Sequence, residues 1–345
     1  TEIGPGAAVP PIESLKQMLP TRSLWPIDDV WRFHAGGDEF KDLNLFTEAL
    51  EARYGKAKDA LDYARKAQAL TYEGERAMFE AFGRNKYTST GVIQWMLNNA
   101  WPSMIWHLYD YYLRPGGGYF GTKKANEPVH VQYSYDDRSI VVVNDLHQGF
   151  PGMKVSAEVF DRNLSSKFFR EARIDLAPDS VSRALVIPAI ADDLTTTYFL
   201  RLALEDPAGK QVSTNFYWLS TRDDELDWEK TEWYYTPVKS HADLRDLEEL
   251  PPTNLRVSKR FEDTGEEGVA FVELENTGSA LAFQVRLEIL DPANGEEILP
   301  VFWDDNYVAL FPGEKRVIRA AYPRRDGLAV PDVEVEAWNV SKLRR

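Results

Sequence analysis

Aromatic and carboxamide side chains crowd one short stretch of the sequence, VIQWMLNNAWPSMIW at residues 92–106. The stretch holds three tryptophans and two adjacent asparagines that directly follow an apolar run. An indole face can stack on the C–H face of a pyranose ring, and carboxamides can exchange hydrogen bonds with hydroxyl groups. The stretch therefore indicates sugar binding. Tryptophan is also an ordinary core residue, so plain packing is an open alternative.

The elements that would position this stretch alternate between helix and strand. Apolar spacing predicts a helix over residues 11–18 and a long helix over 58–85, and residues 92–97 predict a strand. Both faces of that strand are largely apolar, which is typical of a buried strand in a parallel sheet. A turn and a short helix should follow before Pro128. We therefore expect residues 1–127 to resemble one edge of an α/β barrel.

The residue pattern changes after residues 1–127, which we call the front section. Short β-rich runs are punctuated by turn residues about every 8–12 positions, which is typical of all-β sandwiches. Residues 128–222 and 251–345 each predict an immunoglobulin-like β-sandwich. Residues 223–250 are charged and carry few strand signals, so we expect an ordered linker there. The chain is thus predicted to be multidomain, with an α/β part before two all-β parts.

The composition of the chain limits which partners and cofactors we expect. The formal net charge of −15 argues against a nucleic-acid partner and is compatible with a cationic substrate. No apolar run approaches the roughly 20 residues that a membrane helix needs, so we expect no membrane partner. The chain has no cysteine, and its five histidines are scattered. We therefore expect neither a metal site nor another cofactor.

Three segments together resemble glycoside hydrolase family 2, and most closely its exo-β-D-glucosaminidase (exochitosanase) branch. They are NKYTSTGVIQWMLNNAWPS at 85–103, WRFHAGG at 31–37 and KKANEPVHVQYSYDDRSIVVVN at 123–144. The β-mannosidase branch has a similar W-x-L-N-[DN]-x-W pattern. The resemblance implies that residues 1–127 form the C-terminal part of a (β/α)8 TIM barrel, with residues 92–97 as its eighth strand.

The resemblance also implies the site residues. Glu2, in TEIGPG, matches the nucleophile at the end of barrel strand seven, within a short S-E-x-G-like motif. Trp95 would stack under the sugar ring. The further substrate-binding candidates are His34, Tyr87, Asn98, Asn99, Trp101 and Trp106. For Glu2 the open alternative is an ordinary exposed glutamate, for His34 a hydrogen-bonded loop residue, and for the tryptophans packing between barrel and sandwich.

The implied activity is the retaining, exo-acting release of β-linked D-glucosamine from chitosan oligosaccharides. A retaining glycosidase needs two carboxyl groups roughly 5–5.5 Å apart. The acid/base residue would lie upstream of Thr1, so we expect the 345-residue chain to be inactive alone and to have the missing N-terminal part of the enzyme as a partner. A β-mannosidase of the same family and a non-catalytic carbohydrate-binding or adhesive protein are the alternatives. We expect a secreted or periplasmic location.

Overall fold

The structure of the protein is a computed structural model, and it describes residues 2–4, 8–35, 43–190, 194–233, 235–324 and 329–344. The front section combines helices with two very short strands. Its elements in chain order are β1 Glu2–Ile3, α1 Ile12–Met18, α2 Asp29–His34, α3 Leu43–Tyr54, α4 Ala60–Arg84, β2 Ile93–Gln94 and α5 Gly117–Ala125.

The helices α1 and α4 confirm the two helices predicted from apolar spacing. Helix α4 begins at a capping aspartate, Asp59, whose carboxylate accepts a hydrogen bond from the Asp62 amide over 2.9 Å. Helix α2 begins in the same way at Asp28. The apolar faces of these helices meet in one core, in which Leu15, Trp31 and Tyr63 are completely buried. This core fixes the platform beside which β1 and β2 lie.

The strand predicted over residues 92–97 is wrong in length and in burial. Only Ile93–Gln94 forms a strand, and its only strand partner among the described residues is β1, which runs parallel to it. The prediction of two buried faces fails because a pair of two-residue strands covers little surface. Ile93 and Leu97 are 66% and 60% exposed. The described residues therefore contain one parallel strand pair and no closed barrel, and the TIM barrel stays a prediction.

The first β-rich block forms two antiparallel sheets that face each other across one core. Their orders are β3-β4-β7 and β6-β5-β8-β9. The core between them is built from aliphatic side chains such as Val131, Val155 and Leu202, all fully buried. The strands are β3 Val129–Tyr133, β4 Ser139–Asn144, β5 Phe150–Asp161, β6 Ser166–Leu176, β7 Ser180–Val186, β8 Thr197–Glu205 and β9 Gln211–Ser220.

The predicted linker, residues 223–250, contains regular elements within its described residues, 223–233 and 235–250. It begins with a hairpin of two short strands, β10 Glu225–Leu226 and β11 Val238–Ser240, and ends in the 3-10 helix Arg245–Glu249. Leu247 of that helix is fully buried in the same apolar cluster as the core of the block that follows. The segment therefore packs as part of the molecule.

The second β-rich block also forms two antiparallel sheets. Their orders are β12-β13-β17-β15 and β16-β14-β18-β19. Strand β14 is buried along its whole length, because it is central in its sheet and packed against the front section. The strands are β12 Leu255–Asp263, β13 Glu267–Asn276, β14 Ala282–Leu290, β15 Phe302–Trp303, β16 Val308–Leu310, β17 Lys315–Pro323, β18 Asp332–Ala337 and β19 Val340–Arg344.

The three parts of the chain pack into one body. A single apolar cluster joins Tyr72 of α4, Trp218 of β9 and Phe283 of β14. Helix α4 lies at the centre, and it buries charged residues as well as apolar ones. The front section is thus packed against both sandwiches.

Within the described residues, no helix is long and apolar enough to cross a membrane.

Candidate active site

The parallel pairing of β1 and β2 decides where Glu2 lies. Glu2 is aligned with Ile93, and the Trp95 amide donates a hydrogen bond to the Ile3 carbonyl over 3.0 Å. Exposure alternates along the following residues, with Ile93, Trp95 and Leu97 exposed and the residues between them half-buried. Strand side chains two residues apart project from the same face. The exposed carboxylate of Glu2 and the half-exposed indole of Trp95 therefore open on the same side.

Gly4 lets β1 approach the aromatic segment closely. A Cβ at this position would lie 2.4 Å from the Trp95 carbonyl oxygen and 3.2 Å from Cδ1 of Trp106. No side chain fits there without moving backbone, so the glycine of the motif Glu2-Ile3-Gly4 has a packing reason. The sequence motif TEIGPG contains this glycine but does not reveal its packing role.

The loop after β2 folds back on itself and fixes Trp106. The Trp106 carbonyl accepts the Met96 amide over 2.8 Å and Nε2 of Gln94 over 3.2 Å. The Leu108 amide returns a hydrogen bond to the Met96 carbonyl over 3.2 Å. Trp106 itself has a φ of 55°, in the left-handed region. These bonds place Trp106 behind β1 as a support of the Trp95 backbone.

The two asparagines, Asn98 and Asn99, lie in different surroundings. Asn98 is exposed. Asn99 is buried, and its Nδ2 donates to the carbonyl and to the hydroxyl of Ser103. Its Oδ1 is buried with no hydrogen-bond partner among the described residues. Asn99 therefore shapes the 98–103 turn, whereas Asn98 is at the surface and its Nδ2 donates to the Asn99 carbonyl over 3.4 Å.

Trp101 and His34 lie together. Their rings are stacked with centroids 5.7 Å apart and an interplanar angle of 28°. Nδ1 of His34 donates to the Pro102 carbonyl over 2.7 Å, because a carbonyl can only accept. That bond fixes the tautomer and leaves Nε2 as the second polar atom of the ring.

Phe33 completes this aromatic cluster and was missed by sequence reasoning. It packs edge-on against Trp101 at 5.6 Å and is 70% exposed. Its neighbour His34 occupies the last position of α2, and together the two rings flank the indole of Trp101. The available signal was its place beside His34 within WRFHAGG. The cluster of Phe33, His34 and Trp101 forms an aromatic shelf on the surface.

Tyr87 lies elsewhere. It precedes β2, whereas Trp95 follows it, so the two residues belong to opposite ends of that strand. The Tyr87 hydroxyl donates to the Asp179 carbonyl, just before β7 of the first sandwich. The neighbouring Lys86 pairs with Asp145 at 2.8 Å and with Asp179 at 3.0 Å. The structure thus ties Tyr87 to the sandwich and does not group it with Glu2 and Trp95.

Buried polar side chains anchor the far end of the aromatic loop. The completely buried Asp110 accepts hydrogen bonds from the Ser14 hydroxyl and from the Arg114 amide. Burial raises the pKa of Asp110, and the hydrogen bond from Ser14 opposes that rise. Arg114 in turn pairs with Glu297 of the second sandwich at 2.5 Å. The loop is therefore held at both ends, which preorganises Trp95 and Trp101.

His107 is buried in the same loop and is not equipped for proton transfer at neutral pH. Burial lowers the pKa of His107 to about 3, so its imidazole is neutral. Its Nδ1 has no hydrogen-bond partner within the part of the chain that the structure describes. Across the same residues, no group of three or more His, Asp or Glu side chains could hold a metal ion. These residues therefore offer an exposed carboxylate beside aromatic rings.

Comparison with known proteins shows which enzymes the chain is similar to. The exo-β-D-glucosaminidase Ig-fold domain family model matches residues 233–340, so the match begins inside the predicted linker. The exo-β-D-glucosaminidase of Streptomyces avermitilis is 41% identical over 99% of this chain and 39% of that protein. The enzyme of the same name from Amycolatopsis orientalis is 37% identical over 98% of this chain and 34% of that protein.

Solved structures give the same assignment. The crystal structure of Amycolatopsis orientalis exo-chitosanase CsxA superposes with a TM-score of 0.93 at 36% identity, covering 100% of this chain and 42% of that one. Variants of that enzyme have been solved in complex with PNP-β-D-glucosamine.

Mannosidases are more distant relatives. The mannosylglycoprotein endo-β-mannosidase of Lilium longiflorum is 26% identical over 91% of this chain and 37% of that protein. A β-D-mannosidase from Dictyoglomus thermophilum shares the fold, with a TM-score of 0.72 at 18% identity over 99% of this chain and 37% of that one. The chain spans only 34–39% of the length of the glucosaminidases described above. Over that span, it belongs to the exo-β-D-glucosaminidase branch of glycoside hydrolase family 2.

Proposed function

We propose that this chain supplies the nucleophile and part of the sugar platform of a retaining exo-β-D-glucosaminidase. The enzyme would release D-glucosamine from the non-reducing ends of chitosan oligosaccharides. The observation that carries the proposal is the parallel pairing of β1 with β2. It puts an exposed glutamate and a half-exposed tryptophan on one face, in a chain whose full-length relatives are exo-β-D-glucosaminidases.

In this mechanism the Glu2 carboxylate attacks C1 of the terminal sugar while a second carboxyl group protonates the leaving oxygen. The resulting glycosyl-enzyme is then hydrolysed by water that the second group, now a carboxylate, activates. That second group must lie roughly 5–5.5 Å from Glu2. We assign it, together with the group that recognises the substrate amine, to barrel strands that would join β1 and β2. The 345-residue chain should accordingly release no glucosamine by itself.

The aromatic residues would hold the sugar. Trp95 stacks on the ring bound at Glu2, and the shelf of Phe33, His34 and Trp101 lies beside it as a wall. Asn98 is placed to reach a hydroxyl group, whereas Asn99 supports the turn from inside. Tyr87 supports the site through the loop that precedes β2. A polymeric substrate fits an enzyme that works outside the cytoplasm, so we propose secretion or export to the periplasm.

A β-mannosidase is the second candidate, because the lily relative covers most of the chain. The two substrates differ at C2 in stereochemistry and in amine versus hydroxyl. A purely carbohydrate-binding protein is a weaker candidate, since a sandwich adhesin has no need of the parallel β1–β2 pair and its helices.

A substrate panel tests the proposal. The protein that carries this chain together with the acid/base residue should be assayed on chitobiose, mannobiose and their p-nitrophenyl glycosides. We expect release of glucosamine with retention of the β-anomer. Release of mannose in its place would favour the second candidate, and hydrolysis with inversion would exclude Glu2 as a nucleophile.

A further inference from the structure

The most exposed tryptophans of the described residues lie on a hairpin that the proposed mechanism does not use. Trp228 and Trp233 are 71% and 75% exposed. They lie at the tip of the hairpin formed by β10 and β11, and we call the described residues 223–233 and 235–240 the acidic hairpin. Exposed indole faces can stack on the C–H faces of sugar rings, so these two side chains can bind a carbohydrate.

The tip of the acidic hairpin is structurally fixed. The Thr231 hydroxyl donates to the Trp228 carbonyl over 2.9 Å, and the Glu232 amide donates to the Tyr235 carbonyl over 2.9 Å. At its base, Asp224 pairs with Arg53 of α3 at 2.6 Å. The two indoles are therefore presented by a braced turn, which lowers the entropy lost when a ligand binds.

Carboxylates surround these indoles. The acidic hairpin contains six acidic and two basic residues. Its lysines are already paired within the hairpin, Lys230 with Asp227 at 3.2 Å and Lys239 with Glu225 at 3.5 Å. Glu229 and Glu232 form no ion pair with any residue that the structure describes. Each exposed tryptophan thus has an unpaired glutamate as its chain neighbour, an arrangement that suits a ligand with both a sugar face and a positive charge.

The acidic hairpin is anchored on the front section, which also carries Glu2 and Trp95. Arg53, which pairs with Asp224 of the hairpin, is near the end of α3, just before α4 begins.

We propose that the acidic hairpin is a second binding site for chitosan, separate from the Glu2 site. Trp228 and Trp233 stack on glucosamine units of the polymer, and Glu229 and Glu232 pair with their protonated amines. The choice of a polyamine sugar as the ligand rests on the proposed function, and charge complementarity on the hairpin supports it. The site would hold the polymer near the enzyme between successive exo cleavages.

Binding of the 345-residue chain to beads of cross-linked chitosan and of chitin tests this directly, because cross-linked chitosan stays insoluble when its amines are protonated. In mildly acidic buffer, we expect retention on chitosan and much less on chitin, whose amines are acetylated and uncharged. The double variant W228A/W233A should bind chitosan at least about tenfold more weakly, from the loss of two stacking contacts. The isosteric E229Q/E232Q should bind several-fold more weakly. Its binding to chitosan should also depend much less on salt concentration between about 0.1 and 1 M, because salt at these concentrations screens exposed charges.

Matched variants keep the test specific. F169A removes a phenylalanine that is 57% exposed on β6, and E266Q/E273Q removes two exposed carboxylates of the second sandwich. Both should bind chitosan within about twofold of the unchanged chain. Unchanged circular dichroism of the hairpin variants, which alter only exposed side chains, would show that folding is intact.

Three outcomes would overturn the inference. One is that W228A/W233A is retained on chitosan as well as the unchanged chain. Another is that the unchanged chain binds chitin and chitosan equally. The third is that the hairpin variants change the oligomeric state without changing chitosan binding, which would make the hairpin a protein interface. Glucosamine release from chitobiose, measured on the protein that also carries the acid/base residue, reports on the proposed function alone. If release occurs while the hairpin variants bind normally, the second site fails and the function stands. If chitosan binding needs the hairpin but no glucosamine is released, the function fails and the binding site remains.

Discussion

At the scale of single residues, Glu2 is the side chain on which the proposed chemistry depends. In the protein that also carries the acid/base residue, Glu2→Gln should lower kcat by at least about 10⁴-fold, because no other group can form the covalent intermediate. Circular dichroism should be unchanged, since Glu2 is exposed. A variant that keeps a tenth of the activity would remove Glu2 from this role.

A chemical label gives an independent measurement on Glu2. A 2-fluoro sugar inactivator should modify the peptide that contains Glu2, and the Glu2→Gln variant should stay unlabelled. E266Q, which alters an exposed glutamate of the second sandwich, is the matched control and should be labelled at the same rate as the unchanged protein.

Trp95 should contribute binding energy through its exposed ring. Trp95→Ala should cost about 2–4 kcal/mol in kcat/KM, as removal of an aromatic anchor does. The matched control is Phe302→Ala, which removes a similarly exposed aromatic ring from the second sandwich and should leave kcat/KM unchanged. An unchanged kcat/KM for Trp95→Ala would assign the ring to packing.

The residue scale also shows what the sequence could predict about the site. Trp101 and His34 were each candidates from the motif resemblance, but the stacking of their rings could not be predicted. The direction of Asn99 could not be predicted, because an N-N pair does not reveal which carboxamide turns inward to Ser103. Tyr87 was equally hidden, since its hydroxyl bonds to a carbonyl 92 positions away. Such tertiary hydrogen bonds leave no local pattern.

At the scale of elements, α5 packs on α4 through glycine. A Cβ at Gly121 would lie 2.2 Å from the Tyr72 carbonyl oxygen, and one at Gly117 would lie 2.2 Å from that of Gln68. These glycines allow two helix backbones to meet closely, which a turn-rich string such as PGGGYFG does not reveal. Helices α1, α4 and α5 were predicted from the sequence, whereas α2 and α3 were not. A strand was predicted at β2, but its length and burial were wrong, because among the described residues it has only β1 as a neighbour.

The glycine contact makes a prediction about stability. Gly121→Ala should destabilise the protein by about 1–3 kcal/mol or more, because the methyl group would collide with backbone that cannot move freely. Gly74→Ala is the matched control: Gly74 lies in α4 with no atom within 4 Å of the added Cβ. It should stabilise the protein by about 0.5–1 kcal/mol through helix propensity. Urea unfolding of both variants measures the contrast, and equal midpoints would contradict the close packing.

A buried carboxyl in the same helix pair should make stability depend on pH. Burial raises the pKa of Glu75 to about 8, against an ordinary value of 4.5. The folded protein therefore keeps a proton that the unfolded chain loses, so stability falls as pH rises from about 4.5 to 8. Glu75→Gln removes this loss and should stabilise the protein by about 3 kcal/mol at pH 7, with no gain near pH 4. A pH-independent difference between the two proteins would exclude burial as the cause.

At the scale of the whole molecule, the order of the parts was predictable and the way they are joined was not. Turn spacing was enough to separate two β-rich blocks from the front section. It could not show that α4 buries Arg76 against Tyr217, with the guanidinium carbon 4.0 Å from the ring centroid, or that Glu80 of α4 receives a hydrogen bond from His130 over 2.9 Å. Charged residues on a helix usually signal a solvated face. Here they connect the helix to the first sandwich, so the signal was misleading.

The second sandwich is joined to the front section by another buried ion cluster, which centres on Arg286. Its guanidinium pairs with Glu13 of α1 at 2.8 Å, with Glu288 at 2.6 Å and with Glu336 at 3.2 Å. Burial alone would raise the pKa of Glu13, but the charge of Arg286 and its hydrogen bond outweigh burial and lower that pKa to about 2. The ionised form of Glu13 is thus a property of the folded molecule.

The lowered pKa of Glu13 predicts how acid should separate the parts. A carboxyl whose pKa is lower in the folded state contributes stability above its unfolded value of about 4.5, and that contribution is lost as pH falls towards 2. Glu13→Gln should therefore destabilise the protein by about 3 kcal/mol at pH 7, and the difference should vanish between pH 4.5 and 2. Glu275→Gln is the matched control, because Glu275 pairs at 2.6 Å with Arg256, whose side chain is 69% exposed. Surface pairs of this kind contribute at most about 1 kcal/mol. Urea midpoints measured across this pH range would decide the question, and a Glu13→Gln effect no larger than that of Glu275→Gln would show that the cluster around Arg286 does not hold the front section to the second sandwich.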